Sequence, residues 1–158
     1  MKKAGFSLIE VLIAVVLVGL AITALVIASN SFTIANSAGT DLSTAEFLLE
    51  QIRELTALLP VIDPQSGTAT FGPEETSLAD YDDLDDFDGA SFSPPINANR
   101  ESLNDFAAFS QQTVVENVNP TDFQQVVSDH SSHFIRVTVK VFLNAEEISS
   151  TSWIRARY

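Results

Sequence analysis

The sequence predicts an α+β fold in which one long N-terminal helix packs, by its second half, on a small antiparallel sheet. Three observations lead there: no proline before Pro60, an amphipathic stripe along the second half of that stretch, and an alternating strand pair near the C-terminus. At 158 residues there is room for one modest domain and an appendage.

The helix comes first. Residues 11–28 are uncharged and mostly aliphatic, just long enough to cross a bilayer if residues 6–9 join them. Between Phe6 and Ala28 the only ionisable side chain is Glu10. Further on, Phe32, Ala35, Leu42, Ala45, Leu49, Ile52 and Leu59 recur at helical spacings, widened by Leu48, Leu55 and Leu58. Glu46, Glu50, Arg53 and Glu54 supply the polar side. One helix over residues 6–59 is expected, with Gly19 and residues 29–39 as its weak points. Pro60 stops it, because the residue before a proline avoids the α region.

From residue 61 to 99 turn signals dominate: Asp63-Pro64, Ser66-Gly67, Gly72-Pro73, Gly89 and Pro94-Pro95. Residues 68–71 read as a short strand, 102–109 as a helical turn, 113–118 as a strand, and 123–127 as ambiguous. The clearest strand lies at 134–143, where Ile135, Val137, Val139, Val141 and Leu143 form one apolar face. A turn at 144–147 and a partner strand at 148–157 follow. Four segments result: a basic leader (1–5), an apolar helix (6–28), its amphipathic continuation (29–59) and a globular head (60–158).

The net charge of −13, from 21 acidic and 8 basic residues, argues against nucleic-acid binding, which wants a basic face. The absence of cysteine fits either a reducing compartment or an exported fold without disulfides. With no GxSxG, P-loop or dinucleotide motif, no enzymatic activity is expected.

The run Lys2-Lys3-Ala4-Gly5-Phe6-Ser7-Leu8-Ile9-Glu10-Val11-Leu12 is the most informative part of the chain. A secretory signal peptide would have a shorter apolar core. A plain membrane anchor would have no reason to carry Glu10, since a mid-membrane carboxylate costs about 2.5–3.5 kcal/mol on insertion scales. In its short leader ending in Gly5, its Phe6, its Glu10 and the aliphatic run, the sequence resembles the type IV pilins and type II secretion pseudopilins. The resemblance implies a pilin fold, cleavage after Gly5 by a membrane-embedded prepilin peptidase, and N-methylation of Phe6. It also implies that Glu10 pairs with a mature N-terminal amine, usually a neighbouring subunit's, and that 6–28 forms the filament core. The implied partners are other pilin subunits, the peptidase, the inner-membrane assembly machinery and lipid. Lys2 and Lys3 place the N-terminus in the cytoplasm and the head outside.

Leu48-Leu49-Glu50-Gln51-Ile52-Arg53, the acidic turn at 85–89 and the closing hairpin are similar to minor pilins of the MSHA type, and secretion pseudopilins carry such a hairpin too. The chain departs from many major pilins in lacking a cysteine pair and a proline inside the membrane helix. A membrane-anchored binding or adhesion domain that never polymerises is the alternative from another class.

One more cluster stands out. Asp80, Asp82, Asp83, Asp85, Asp86 and Asp88 crowd together before Gly89, with no basic residue between Arg53 and Arg100. Two readings stay open: a solvated acidic loop, or a calcium site led by Asp85, Asp86 and Asp88, with Asp82 or Asp83 and backbone carbonyls completing it. The register is not that of an EF-hand. Tyr81, Leu84 and Phe87, three residues apart, are expected to pin the loop to the domain. His130 and His133 form an H-x-x-H without further zinc-type ligands.

Overall fold

The computed structural model describes residues 5–65, 67 and 70–157. The chain begins with helix α1 (Leu8–Thr56) and continues through strands β1 (Ser91–Phe92), β2 (Phe109–Asn119), β3 (Asp122–Val126), β4 (Phe134–Leu143) and β5 (Glu146–Ala156). Single 3-10 turns form at Asp85–Phe87 and Asn104–Phe106. Two compact units result, one ending at Thr40 and the other beginning at Asp41.

In the first unit the helix runs unbroken through Gly19 and residues 29–39, where the sequence suggested weakness. The polar side chains there bond to their own helix. The hydroxyls of Thr23, Ser31, Thr33 and Thr40 donate to the carbonyls of Gly19, Ile27, Ser29 and Asn36 at 2.9–3.1 Å. Apolar side chains from Leu8 to Ile34 are exposed.

In the second unit, Ala45, Leu48, Leu49 and Ile52 of α1 are buried in one core with Ile135, Val137, Val139 and Val141 of β4. The alternation expected in β4 is thus borne out: the odd-numbered residues from 135 to 141 are buried and their neighbours are half-buried. Each buried Val, Leu or Ile contributes about 1.5–3 kcal/mol. The sheet is antiparallel in the order β1-β2-β4-β5, with β3 pairing separately with β2.

Several polar contacts tie sheet to helix, among them Ser149 Oγ, which donates to Glu46 at 2.6 Å. Gln111 on β2 is fully buried; its amide donates to the carbonyls of Leu48 (2.8 Å) and Ile96 (3.2 Å) and accepts from Ile96 N–H. Arg155 on β5 donates to the carbonyls of Thr56, Ala57 and Leu59 at 2.9–3.0 Å, so it caps the helix end, where carbonyls lack intrahelical partners. Arg53 lies 5.9 Å from the Trp153 ring centroid, within cation–π range. Arg155 and Trp153 both bind the helix.

Elsewhere the structure refines the expectations. β2 starts at Phe109, four residues before the expected strand, and the ambiguous segment at 123–127 is largely β3. β1 was not foreseen. Of the strand expected at 68–71, Thr70 and Phe71 lie outside any strand, and Thr68 and Ala69 fall outside the described residues; an isolated bridge joins Asp63 to Gly67.

The β4–β5 hairpin closes through Asn144 and Ala145, both with positive φ (51° and 70°). Two positive φ values are what a type I′ turn demands, and Asn-Gly is its preferred pair. Alanine in that region costs about 1–2 kcal/mol. Ala145→Gly is therefore expected to stabilise the head by about 1 kcal/mol, net of the extra chain entropy of glycine. Thermal unfolding followed by the fluorescence of Trp153, the single tryptophan, measures it.

Candidate functional site

Two places on the chain gather chemistry, one in each unit. The first is the start of α1. Ser7 is the residue before the first helical position, and Glu10 is the third residue inside. Glu10 N–H donates to Ser7 Oγ at 3.3 Å, and Glu10 Oε2 accepts from Ser7 N–H at 2.9 Å and from Ser7 Oγ at 3.0 Å. This reciprocal pair is a capping box, which satisfies donors left over at a helix start. The S-x-x-E spelling of that box stands in the sequence, where the charge of Glu10 in an apolar run masks its role as a cap.

Gly5 lies just before. A Cβ added there would meet no atom within 4 Å, and its φ is not in the left-handed region. Among the described residues, nothing packs closely enough to demand a glycine at that position. Phe6 is 86% exposed, and beyond it α1 contains a window of mean hydropathy 3.1, long and apolar enough to cross a membrane. Lys2 and Lys3 lie outside the described residues.

The second place is the acidic turn, which is not a solvated loop. Leu84 and Phe87 are fully buried, and the Tyr81 ring meets Phe87 edge-on at 5.2 Å, so the expected anchors hold. They take their neighbours inside: Asp83, Asp85 and Asp86 are 0%, 2% and 0% exposed. Each has one oxygen fixed by a backbone N–H. Asp86 N–H donates to Asp83 Oδ1, Gly72 N–H to Asp85 Oδ2, and both Asp82 N–H and Asp83 N–H to Asp86 Oδ2, at 2.8–3.2 Å. Among the described residues, the second oxygen of each has no hydrogen-bond donor.

The turn therefore splits in two. Burial, and then the charge of Asp85, push the Asp83 carboxyl up to about 8, while burial raises Asp85 as well. Asp86 instead meets residues that sequence reasoning missed: oxygens of Glu74, Glu75 and Asp86 lie within 4.8 Å of one another. Contact with Asp86, together with burial, pushes Glu75 up to about 7. The signal was the Gly72-Pro73 turn just before Glu74, and it points nowhere without the fold.

The other acidic residues go elsewhere. Asp88 Oδ1 accepts from Val115 N–H on β2 at 2.9 Å, and Asp82 Oδ2 accepts from the Gln65 amide at 3.2 Å. The nearby cation Arg100 spends its donors on the carbonyls of Leu78, Ala79 and Tyr81 at 2.6–2.9 Å. His130 contacts the Thr70 carbonyl at 2.8 Å through its ring nitrogen.

A pH dependence follows from Asp83. Its folded-state pKa lies above its ordinary value of 3.8, so the stability it contributes is complete at acid pH and is lost as pH rises towards about 8. Asp83→Asn keeps the oxygen that accepts from Asp86 N–H and gives Asp85 a donor. In chelator-containing buffer the variant is expected to gain about 1–3 kcal/mol at pH 8, with a flatter melting-temperature profile between about pH 5 and 9.

The prokaryotic N-terminal methylation motif matches residues 1–26, a stretch that includes Gly5, Phe6, the Ser7–Glu10 box and most of the apolar run. No curated protein and no solved structure matches the chain significantly. In front of a head built from one helix end and a five-stranded antiparallel sheet, the chain carries the membrane-anchoring N-terminal signature of the type IV pilins and pseudopilins.

Proposed function

We propose that the chain is a prepilin, cleaved after Gly5, methylated at Phe6 and polymerised through its N-terminal helix into a type IV pilus or pseudopilus. The observation that supports this best is Glu10, a lone carboxylate at the head of an exposed apolar helix inside the methylation motif. In a filament that helix would be covered by other copies, and Glu10 would receive the N-terminal amine of a neighbour. A buried carboxylate is tolerated when an opposite charge neutralises it, and breaking such a pair costs about 3–5 kcal/mol. Glu10 would thereby set the axial register. Lys2 and Lys3 would hold the N-terminus in the cytoplasm before cleavage, leaving the head outside.

The subunit is proposed as a minor rather than a major one, on the resemblance of residues 48–53, the acidic turn and the closing hairpin to minor pilins. Its role would be structural, with the prepilin peptidase and other pilins as partners. Mass spectrometry of the mature N-terminus tests the core of the proposal. N-methyl-phenylalanine at position 6 supports it; an intact Met1 points to a plain anchor, and a terminus near residue 29 to a secreted protein.

Gly5 separates recognition from folding. With open space around its Cβ position, Gly5→Val is expected to leave the fold intact. It should nonetheless block the peptidase, whose intramembrane active site must close around the leader. Immunoblotting of membranes should show full-length precursor and no filament-borne protein.

Glu10 separates insertion from assembly. Glu10→Leu removes the one charge of the apolar segment, so insertion and cleavage are expected to persist or improve. Incorporation into sheared filaments should fall at least tenfold, because an incoming amine then finds no counter-charge. Co-assembly equal to wild type would remove Glu10 from its register role.

A further inference from the structure

The two edges of the sheet are unlike. On one side β2 is covered along its length: by β1 at Gln111 and Gln112, by Asp88, which takes Val115 N–H, and by β3 at Val118 and Asn119. On the other side β5 has β4 as its single neighbour. Among the described residues, no backbone hydrogen bond from another segment reaches residues 148–154. Long edge strands are normally guarded against pairing by lysine, proline or a bulge in their middle. β5 has neither lysine nor proline, its charges and its register shift lie at its ends, and its middle reads Ser149-Ser150-Thr151-Ser152.

The direction of the backbone groups alternates along an antiparallel strand. Arg157 N–H donates to the His133 carbonyl at 2.7 Å, so Arg157 faces β4. Counting back along the register, the odd-numbered residues of β5 down to Ser149 face β4, and Ser150 turns its N–H and C=O away from it. On the far side, Thr113 N–H donates to the Ala90 carbonyl at 2.9 Å, so Ala90 faces β2 and Ser91 on β1 turns away. Ser91, Gln112, Lys140 and Ser150 form one row across the sheet. That row ends in an exposed serine on either side, each with its N–H and C=O pointing outward.

Direction limits what can pair there. The end of α1 runs the same way as β5: Glu46 meets Ser149, Arg53 meets Trp153, and the Thr56 carbonyl meets Arg155. Two β5 strands joined about a two-fold axis would therefore carry their helices in opposite directions, which two chains entering one membrane cannot do. Chains standing the same way present β5 of one to the β1 edge of the next. β1 is antiparallel to β2, β2 to β4 and β4 to β5, so β1 runs antiparallel to β5. The two edges thus meet in the sense that favours pairing. Charge agrees as well: at the end of the sheet where Asn117 stands opposite Ile135, one edge carries the exposed Arg157 and the other the exposed Asp122.

We propose that the head joins a second copy of this chain edge to edge, β5 of one pairing antiparallel with β1 of the next, Ser150 opposite Ser91 and Arg157 facing Asp122. The joint rests on the reading of the chain as a membrane-anchored pilin subunit, whose copies stand the same way up. It is a head-to-tail contact, so every joined pair keeps one open edge of each kind and the contact propagates. With only a few backbone hydrogen bonds it adds to packing between helices and fixes how neighbouring heads are turned.

The chain has no cysteine, so introduced pairs report the joint directly. Ser91→Cys and Ser150→Cys are placed together in the full-length chain, and membranes carrying it are oxidised with copper phenanthroline. Directly opposite residues that exchange both backbone hydrogen bonds stand about 5.5 Å apart, within disulfide reach. Non-reducing electrophoresis is expected to show dimers, trimers and higher multimers. They should be about tenfold more abundant than in Ser77→Cys with Ser150→Cys, since Ser77 is exposed but lies off the sheet. Arg157→Glu should lower the yield about threefold, and adding Asp122→Arg should restore it. Multimers no more abundant than in the Ser77 control overturn the joint, and a yield indifferent to Arg157→Glu overturns its register. Ser150→Cys alone should stay monomeric; dimers there would mean that β5 pairs with itself, which also overturns the joint. Mass spectrometry of the mature N-terminus in the same samples separates the two readings. A processed chain without multimers overturns the joint and leaves the prepilin standing, whereas an unprocessed chain with multimers supports the joint and overturns the prepilin.

Discussion

The head is organised around one helix face. Ala45, Leu48, Leu49 and Ile52 present a narrow apolar stripe, and the β-branched row Ile135, Val137, Val139 and Val141 lies in the same core. Much of what surrounds this contact is directed at the helix backbone rather than at its side chains. Gln111 takes the Leu48 carbonyl, and Arg155 takes the three carbonyls at and after the helix end. A backbone carbonyl is a target that side-chain substitution does not remove, so the helix can vary its surface while the sheet keeps its grip.

The acidic turn obeys a related constraint. Leu84 and Phe87 supply buried surface that a small head needs, and the 3-10 turn between them leaves no way to bury one without the other's neighbours. Asp85 and Asp86 are carried inside with the anchors. The fold answers with backbone N–H donors on one oxygen of each, and with Arg100 clamping the carbonyls of the preceding segment. What that leaves over, the second oxygens, is the chemistry of the site.

Legibility in the sequence followed range. The helix, β4 and the closing hairpin were readable because each is a local pattern: 3.6-residue spacing, strict alternation, and a turn, expected over 144–147 and closing in two residues. The N-terminal signature was readable because it lies in consecutive residues. The short β1 was hidden because its two residues pair with a strand about twenty positions away and show no period of their own. The burial of Asp83 and Asp86 could not be seen either. Six aspartates within nine residues leave a solvated loop and a cation site both open, and the packing of the expected anchors Leu84 and Phe87 decides for burial. Glu74 and Glu75 were missed for the same reason, since Glu75 and Asp86 lie eleven positions apart and only the fold brings them together.

The Ser7–Glu10 box has a bearing on how long a subunit can wait. Outside a filament, a bare carboxylate at the end of an apolar helix would recruit whatever cation or amine it met, or pull the helix end back towards water. Held by the Ser7 amide and hydroxyl, Glu10 has a resting place within its own chain. On the assembly proposed above, docking then becomes an exchange, in which one set of local hydrogen bonds is surrendered for an ion pair between chains. Such an exchange would favour a correctly placed amine over a chance encounter, and would let single subunits accumulate in the bilayer as a stable reserve.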